Sequence, residues 1–321
     1  KDTLRFLSFS KSNGTFRVVE NFLLIGIPGL EEAHIWISIP LSVMFVFTLF
    51  INTVMLYVIL SKESFHKPMY LFLCMMSIVD LVVSCTAAPK ILCIFWFKAL
   101  DIGFTECLVQ LYFIHAFSMM ESTVLMVMAF DRYFAICHPL RYTVILTNQT
   151  ITTIGVLTVL RGSFLMAPCP FLIKRLSYCQ TNVIANTYCE HMSVVKISCS
   201  DTTINQIYGL TVALLVSAVD IFSISFSYCV IVRAVLRLSS NEARRKALST
   251  CGSHLIVILI TYFPALFSFF SHRFGHIIPI HIHVIFANLY LLIPPTCNPL
   301  IYGVKTKEIR ERIIFIFFKK N

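Results

Sequence analysis

Seven stretches of the chain, at about 35–60, 69–96, 107–137, 150–172, 206–236, 247–271 and 281–303, are strongly apolar. Each reaches the roughly 20 residues that a helix needs to cross a hydrocarbon core about 30 Å thick. Backbone groups in lipid must satisfy one another, which restricts such stretches to helices packed side by side. The expected fold is therefore all-α, a membrane protein built as a seven-transmembrane helix bundle with a short amphipathic C-terminal helix. Composition agrees, because 57% of the 321 residues are hydrophobic, against roughly 45–50% in soluble domains. A formal charge of +10 raises nucleic acid as a partner. The basic residues fall in short clusters between apolar runs, however, so membrane lipid is expected at those clusters and no nucleic acid.

An odd number of crossings places the two ends on opposite sides, and Lys and Arg in the short connections set the direction. With the N-terminus outside, the inner side gathers Lys62, Lys67, Arg132, Arg141, Arg233, Arg237, Arg244, Arg245, Lys246 and the cluster from Lys305 to Lys320. The reading that follows is a multi-pass plasma-membrane protein with an extracellular N-terminus. Residues 1–30 form the outer segment, 31–304 the seven-helix domain with a long outer loop at about 173–205, and 305–321 an inner amphipathic helix and tail. Residues 1–30 carry scattered charge and no sustained apolar core, so the first span is expected to serve as its own insertion signal. On this topology the sequon at Asn13 is open to glycosylation and the one at Asn148 is not.

Of 12 cysteines, those at 74, 85, 93, 137, 229, 251 and 297 lie in spans or at their edges, where buried, inert thiols are expected. Cys107, Cys179, Cys189 and Cys199 lie on the oxidising outer side, where three pairings are open to them. Cys169, near the same surface, reads as a free buried thiol.

Ionisable groups at bilayer depth cost roughly 2.5–3.5 kcal/mol on insertion scales, so Asp80, Glu121, Arg161 and Asp220 should face the bundle and have partners. Asp80 and Glu121 are expected to share a proton, or to hold a cation such as sodium with hydroxyls such as Ser118 and Ser122; simple protonation explains them equally well. Arg161 is expected to pair with a carbonyl or an acid. An ion or proton transporter or channel using Asp80, Glu121 and Arg161 is the alternative function, weakened because the two halves show no inverted repeat. No nucleophile with a base and no His/Glu metal spacing is visible, so neither an enzyme, a metal nor a cofactor is expected.

The run Met128-Ala129-Phe130-Asp131-Arg132-Tyr133-Phe134-Ala135-Ile136-Cys137-His138-Pro139-Leu140-Arg141-Tyr142 closes the third span. It resembles, almost letter for letter, the signature of odorant receptors, a branch of the rhodopsin-like G protein-coupled receptors. His66 to Leu73, Ser227-Tyr228, Arg245 to Leu255 and Pro295 to Tyr302 resemble the family's motifs on helices two, five, six and seven. The segment Phe22 to Leu30, Pro264, and His272-Arg273-Phe274-Gly275 look like the class I, fish-like branch and its 52-type subfamily.

The resemblance implies disulfides Cys107–Cys189 and Cys179–Cys199, and a ligand pocket in the outer half of the bundle. It also implies a small odorant as ligand, a short- to medium-chain carboxylic acid being favoured, with Arg273 gripping the carboxylate in a fork. His115, Ser118, Leu210, Leu214, Phe267, Ser268 and Ser271 are the other expected contacts. A solvated Arg273 and a core His115 explain those residues without a ligand. Asp131, Arg132, Tyr133, Tyr228, Tyr262, Asn298, Pro299 and Tyr302 are implied in activation and coupling to a heterotrimeric G protein of the stimulatory, olfactory type. The third span has no acid in its outer half, between Leu111 and Met120, to receive a protonated amine.

Overall fold

The computed structural model describes residues 19–179, 181–237, 240–274 and 278–318, apart from a few side chains within helices; Asn13 and Gly275 lie outside these residues. Among the described residues, seven helices are long and apolar enough to span a membrane. They are α1 (His34–Leu60), α2 (Pro68–Phe97), α3 (Phe104–Cys137), α4 (Asn148–Met166), α5 (Thr203–Leu236), α6 (Asn241–Phe274) and α7 (Ile280–Lys305). Helix α4 runs on through Pro168–Lys174, and α8 (Lys307–Phe318) follows the bundle. The seven-transmembrane expectation therefore holds, with each helix covering the apolar stretch that marked it.

Local sequence explains several boundaries. Pro68 starts α2 at its first turn, where the missing N–H has no helical partner to lose. Thr147 caps α4 by accepting from Thr150 N at 3.2 Å. Within α7, Pro299 cannot donate to the carbonyl of Pro295. Asn52 of α1 fills that gap by donating its Nδ2 to Pro295 O at 3.0 Å, which ties α1 to the proline-containing stretch of α7. Helices α3 and α4 cross closely at Gly162, where a Cβ would stand 2.7 Å from Ala116 O.

The outer end carries a feature that hydropathy does not announce. Three short strands, β1 (Asn21–Leu24), β2 (Asp101–Gly103) and β3 (Val183–Ile184), form a small sheet ordered β2-β1-β3. Strand β1 pairs antiparallel with β2 and parallel with β3. Phe22 and Leu24 point from β1 into the core beside Tyr178 and Ile184, so the segment before α1 is pinned to the long loop. Two disulfides, Cys107–Cys189 and Cys179–Cys199, hold that loop from the α3 side and within itself.

The buried apolar side chains divide into an outer cluster around Leu111, Ile114 and Tyr188 and an inner one around Leu125, Met128 and Tyr228. Elsewhere the helices turn apolar side chains outward, as Val43, Val46 and Phe50 do on α1. Lipid contact also corrects the expectation that every span cysteine is buried: Cys74 and Cys251 are, whereas Cys85 and Cys229 face outward and Cys93, Cys137 and Cys297 are half-buried. A thiol loses little against hydrocarbon, so hydropathy gives no reason to turn it inward.

Candidate functional site

A cavity of about 190 Å³ lies in the outer half of the bundle, between α3, α5 and α6 and beneath the long loop. The loop is brought over it because Cys189 is bridged to Cys107 and its backbone N–H donates to Gln110 Oε1 at 2.9 Å. Tyr188, Glu190, His191 and Met192 then become its roof. His115, Ser118, Met119 and Ser122 line it from α3, and Thr261, Tyr262, Ser268 and Arg273 are among its α6 contributors. From Thr261 to Arg273 the α6 wall rises roughly 18 Å, at about 1.5 Å per residue.

Arg273 reaches the cavity top across α5. Its Nη1 donates to Gln206 O at 3.0 Å, and its guanidinium carbon stands 4.9 Å from the Phe269 ring centroid. The approach to α5 depends on Gly209, where a Cβ would come within 2.8 Å of Nη2. No other arginine or lysine is among the described lining residues. The Nε2 atoms of His115 and His191 are buried without a hydrogen-bond partner among the described residues, as is Arg273 Nε.

His191 opens a short helix, His191–Lys196, capped by Glu190, whose Oε2 accepts from Ser193 N at 2.7 Å. Burial lowers the His191 pKa to about 4; Glu190 opposes the shift, and His115 and Arg273 add to it. The ring is therefore neutral at pH 7, which leaves Arg273 as the permanent cation beside the cavity. An unfolded or opened loop regains a histidine pKa near ~6.5 and takes up the proton first. Stability from the closed roof is thus present above about pH 6.5 and lost as pH falls toward about 4. The melting temperature of the purified protein should decline across that window, and His191→Gln should flatten the decline. An identical slope in that variant would remove His191 as the cause.

The sequence-derived ligand set is only partly brought together. Arg273, His115, Ser118 and Ser268 line the cavity, whereas Leu210, Leu214, Phe267 and Ser271 do not. On α5 the inward residues are Gly209, Ala213, Val216 and Ser217, a helical i, i+4, i+7, i+8 stripe. Leu210 and Leu214 are rotated away from it, and Leu214 is 44% exposed on the lipid side. Phe267 packs instead on Phe286 of α7, with centroids 4.0 Å apart, and Ser271 donates back to Ser268 O at 3.1 Å. Sequence reading also missed Tyr188, Glu190 and His191, because a loop without periodicity does not show which residues will roof a cavity. Cys169, read as a free buried thiol, is one and also lines the cavity.

Below the cavity a polar network joins four helices. Arg161 of α4 pairs with Asp220 of α5 at 2.8 Å and donates to Thr123 Oγ1 of α3 at 2.7 Å. Ser122 donates to Asp220 Oδ2 at 2.5 Å and meets the Tyr262 hydroxyl at 2.6 Å. Ser122 and Tyr262 are also floor residues of the cavity, and Tyr262 stands two residues before Pro264 within α6. The floor is therefore wired to a helix whose backbone ladder is interrupted nearby.

Deeper still, Asn298 of α7 donates to both oxygens of Asp80, at 3.3 and 3.4 Å, and to Glu121 Oε1 at 3.3 Å. Thr261 Oγ1 lies 3.5 Å from the same Glu121 oxygen. Asp80 and Glu121 thus converge on one amide. Ser122, expected beside them, is engaged by Asp220 and Tyr262 instead.

At the inner end Arg132 lies 3.8 Å from Asp131, a long ion pair, while Tyr142 donates to Asp131 at 2.7 Å. Arg132 Nη1 also points at Met69 Sδ, 3.0 Å away. Tyr228 is paired with His254 Nδ1 at 2.8 Å and Tyr133 with His138 Nε2 at 3.0 Å. The buried Tyr302 hydroxyl has no hydrogen-bond partner among the described residues. Pro299 follows Asn298 within α7.

Comparison with known proteins gives a consistent set of likenesses. Residues 41–320 match the family model described as olfactory receptor. The chain is 60% identical to human olfactory receptor 52P1 over 92% of each chain, and 54% identical to human olfactory receptor 52N4 over 95% of each. Rat olfactory receptor 51E2 is 49% identical over 92% of each chain. Squid rhodopsin, at 16% identity, superposes with a TM-score of 0.73 over 91% of this chain and 82% of its own, which is a likeness of fold.

Proposed function

Because the chain belongs to the olfactory receptor family, and is thus a multi-pass plasma-membrane receptor that senses an odorant and couples to a G protein, we propose that its ligand is a small carboxylic acid and its transducer a stimulatory G protein. The observation that carries the ligand class is Arg273, the lone arginine or lysine among the described residues around a cavity with mainly apolar walls. A guanidinium offers a carboxylate two parallel charge-assisted bonds. The alkyl part would rest on Met119, Val216, Leu266 and Phe269. Cavity size favours the shorter acids, since about 190 Å³ falls below the roughly 300 Å³ at which drug-sized pockets begin.

Ligand reaching the floor would bear on Ser122 and Tyr262 and so favour one arrangement of α6 over another; a ligand shifts an equilibrium by its differential affinity alone. At the inner end, release of Arg132 from Asp131 and movement of Tyr228 and Tyr302 would open the surface that the G protein occupies. Asp80 and Glu121, converging on Asn298, would hold a sodium ion or a shared proton that stabilises the resting bundle. The 1–30 segment would lie outside with a glycan on Asn13, and 305–321 would form an inner amphipathic segment on the membrane.

Cells expressing the receptor with a stimulatory G protein should raise cyclic AMP on exposure to short aliphatic acids and not to the matching alcohols. Surface-expressed receptor that is silent to every acid while responding to neutral odorants would reject the acid assignment.

A further inference from the structure

A second cavity, of about 590 Å³, opens sideways between α5 and α6 and has no part in the odorant site. Its α5 wall is formed by residues from Ile221 to Arg233, and Leu255 and Ile258 close it on α6. The furrow persists because Phe222 and Phe226, which are bulky enough to fill it, turn outward, while Ser225 and Cys229 face it. Ile221 to Arg233 spans roughly 18 Å of helix. One leaflet of hydrocarbon is about 15 Å deep, half of ~30 Å. The groove therefore runs the depth of the inner leaflet, from beside Asp220 to the level of Arg233.

Arg233 decides what the groove fits. It is exposed, it lines the inner mouth, and it makes no ion pair or hydrogen bond among the described residues. Arg237, also exposed, follows one turn later on the same face. The inner leaflet is the anionic one, and it attracts basic side chains near its surface. An apolar slot of leaflet length ending in an unpaired guanidinium matches a molecule with an acyl chain and a net-negative headgroup at one end.

We propose that the α5–α6 groove is a binding site for an anionic phospholipid of the inner leaflet, its acyl chain lying along Ile221 to Val232 and its net-negative headgroup on Arg233. The site is separate from the odorant cavity and does not depend on the ligand assigned there.

The test uses the full-length receptor in nanodiscs with phosphatidylserine or phosphatidylcholine, each carrying a photoactivatable diazirine in mid-chain, and maps adducts by peptide mass spectrometry. Phosphatidylserine should label the Ile221–Arg233 and Leu255–Ile258 peptides several-fold more than phosphatidylcholine does. The α1 face at Val43, Val46 and Phe50 should show no such preference. Arg233→Gln should bring phosphatidylserine down to the phosphatidylcholine level, and Val232→Trp, which fills the slot and keeps the charge, should reduce labelling by both lipids there. Equal labelling by the two lipids in the unaltered receptor overturns the proposal, as does a preference that survives Arg233→Gln. Absence of adducts from either lipid at the groove, while the α1 face is labelled by both, would show that something other than lipid covers it and would overturn the proposal too.

Discussion

Arg273→Ala is expected to abolish the cyclic AMP response to carboxylic acids while leaving surface expression intact. The guanidinium is the one arginine or lysine side chain among the described residues lining the cavity, held there by its bond to Gln206 O and its stacking on Phe269. Removing one partner of a desolvated charge pair typically costs about 2–5 kcal/mol, and at ~1.4 kcal/mol per decade that moves the midpoint of the dose response by at least about 30-fold. Arg273→Lys should restore part of the response, since an ammonium supplies charge without the planar fork. Alanine should also unmask any odorant that binds by shape alone, because the lower cavity, from Ser118 to Tyr262, is untouched. An unaltered dose response to acids in Arg273→Ala cells with normal surface staining would remove Arg273 from the site.

The extent to which this site can be read from sequence follows from the solvent. In water, the apolar face of a helix points inward, so hydropathy gives both the element and its orientation. In lipid, both faces of a span are apolar, so hydropathy finds α5 but not its phase. That is why Leu210 and Leu214 look like pocket residues and the true stripe is Gly209, Ala213, Val216 and Ser217. Polar residues at depth carry the information that apolar ones lack. Asp80, Glu121, Arg161 and Asp220 stand out because an ionisable group inside a span must face the bundle, whereas Arg273, His115 and Ser118 entered through the family resemblance, and all three line the cavity.

The remaining misses lie where structure depends on contacts distant in sequence. Strand β1 is only four residues long and pairs with segments about 80 and 160 positions away. The roof formed by Tyr188, Glu190 and His191 exists because Cys189 is bridged to Cys107, and four outer cysteines allow three pairings. Family resemblance named that pairing where spacing left it open. Resemblance could not, however, say that Glu190 caps the short helix beginning at His191 or that the imidazole stands against Arg273 through Gly209.

Breaking the Arg161–Asp220 pair should produce a large loss of stability. Asp220 is fully buried, and Arg161, Ser122 and the ion pair geometry of 2.8 Å all act on its carboxylate. Arg161→Ala strands that negative charge, and uncompensated charges of this kind cost roughly 3–5 kcal/mol. The melting temperature of detergent-purified receptor should therefore drop by many degrees, with loss of surface expression in cells. The reverse truncation, Asp220→Ala, should hurt less, because Arg161 is 23% exposed in its side chain and keeps Thr123 as a partner. Replacing both by apolar residues of similar volume, Arg161→Met with Asp220→Leu, should recover most of the stability, since neither partner is then left unpaired. Recovery of stability need not bring back the response. Ser122 and Tyr262 would lose Asp220 as the anchor of their hydrogen bonds, so the cavity floor would no longer be tied to α5 when α6 moves. A double variant as thermally stable as the original yet blunted in cyclic AMP output would assign the buried pair to transmission as well as to folding. A double variant with full output would confine it to folding.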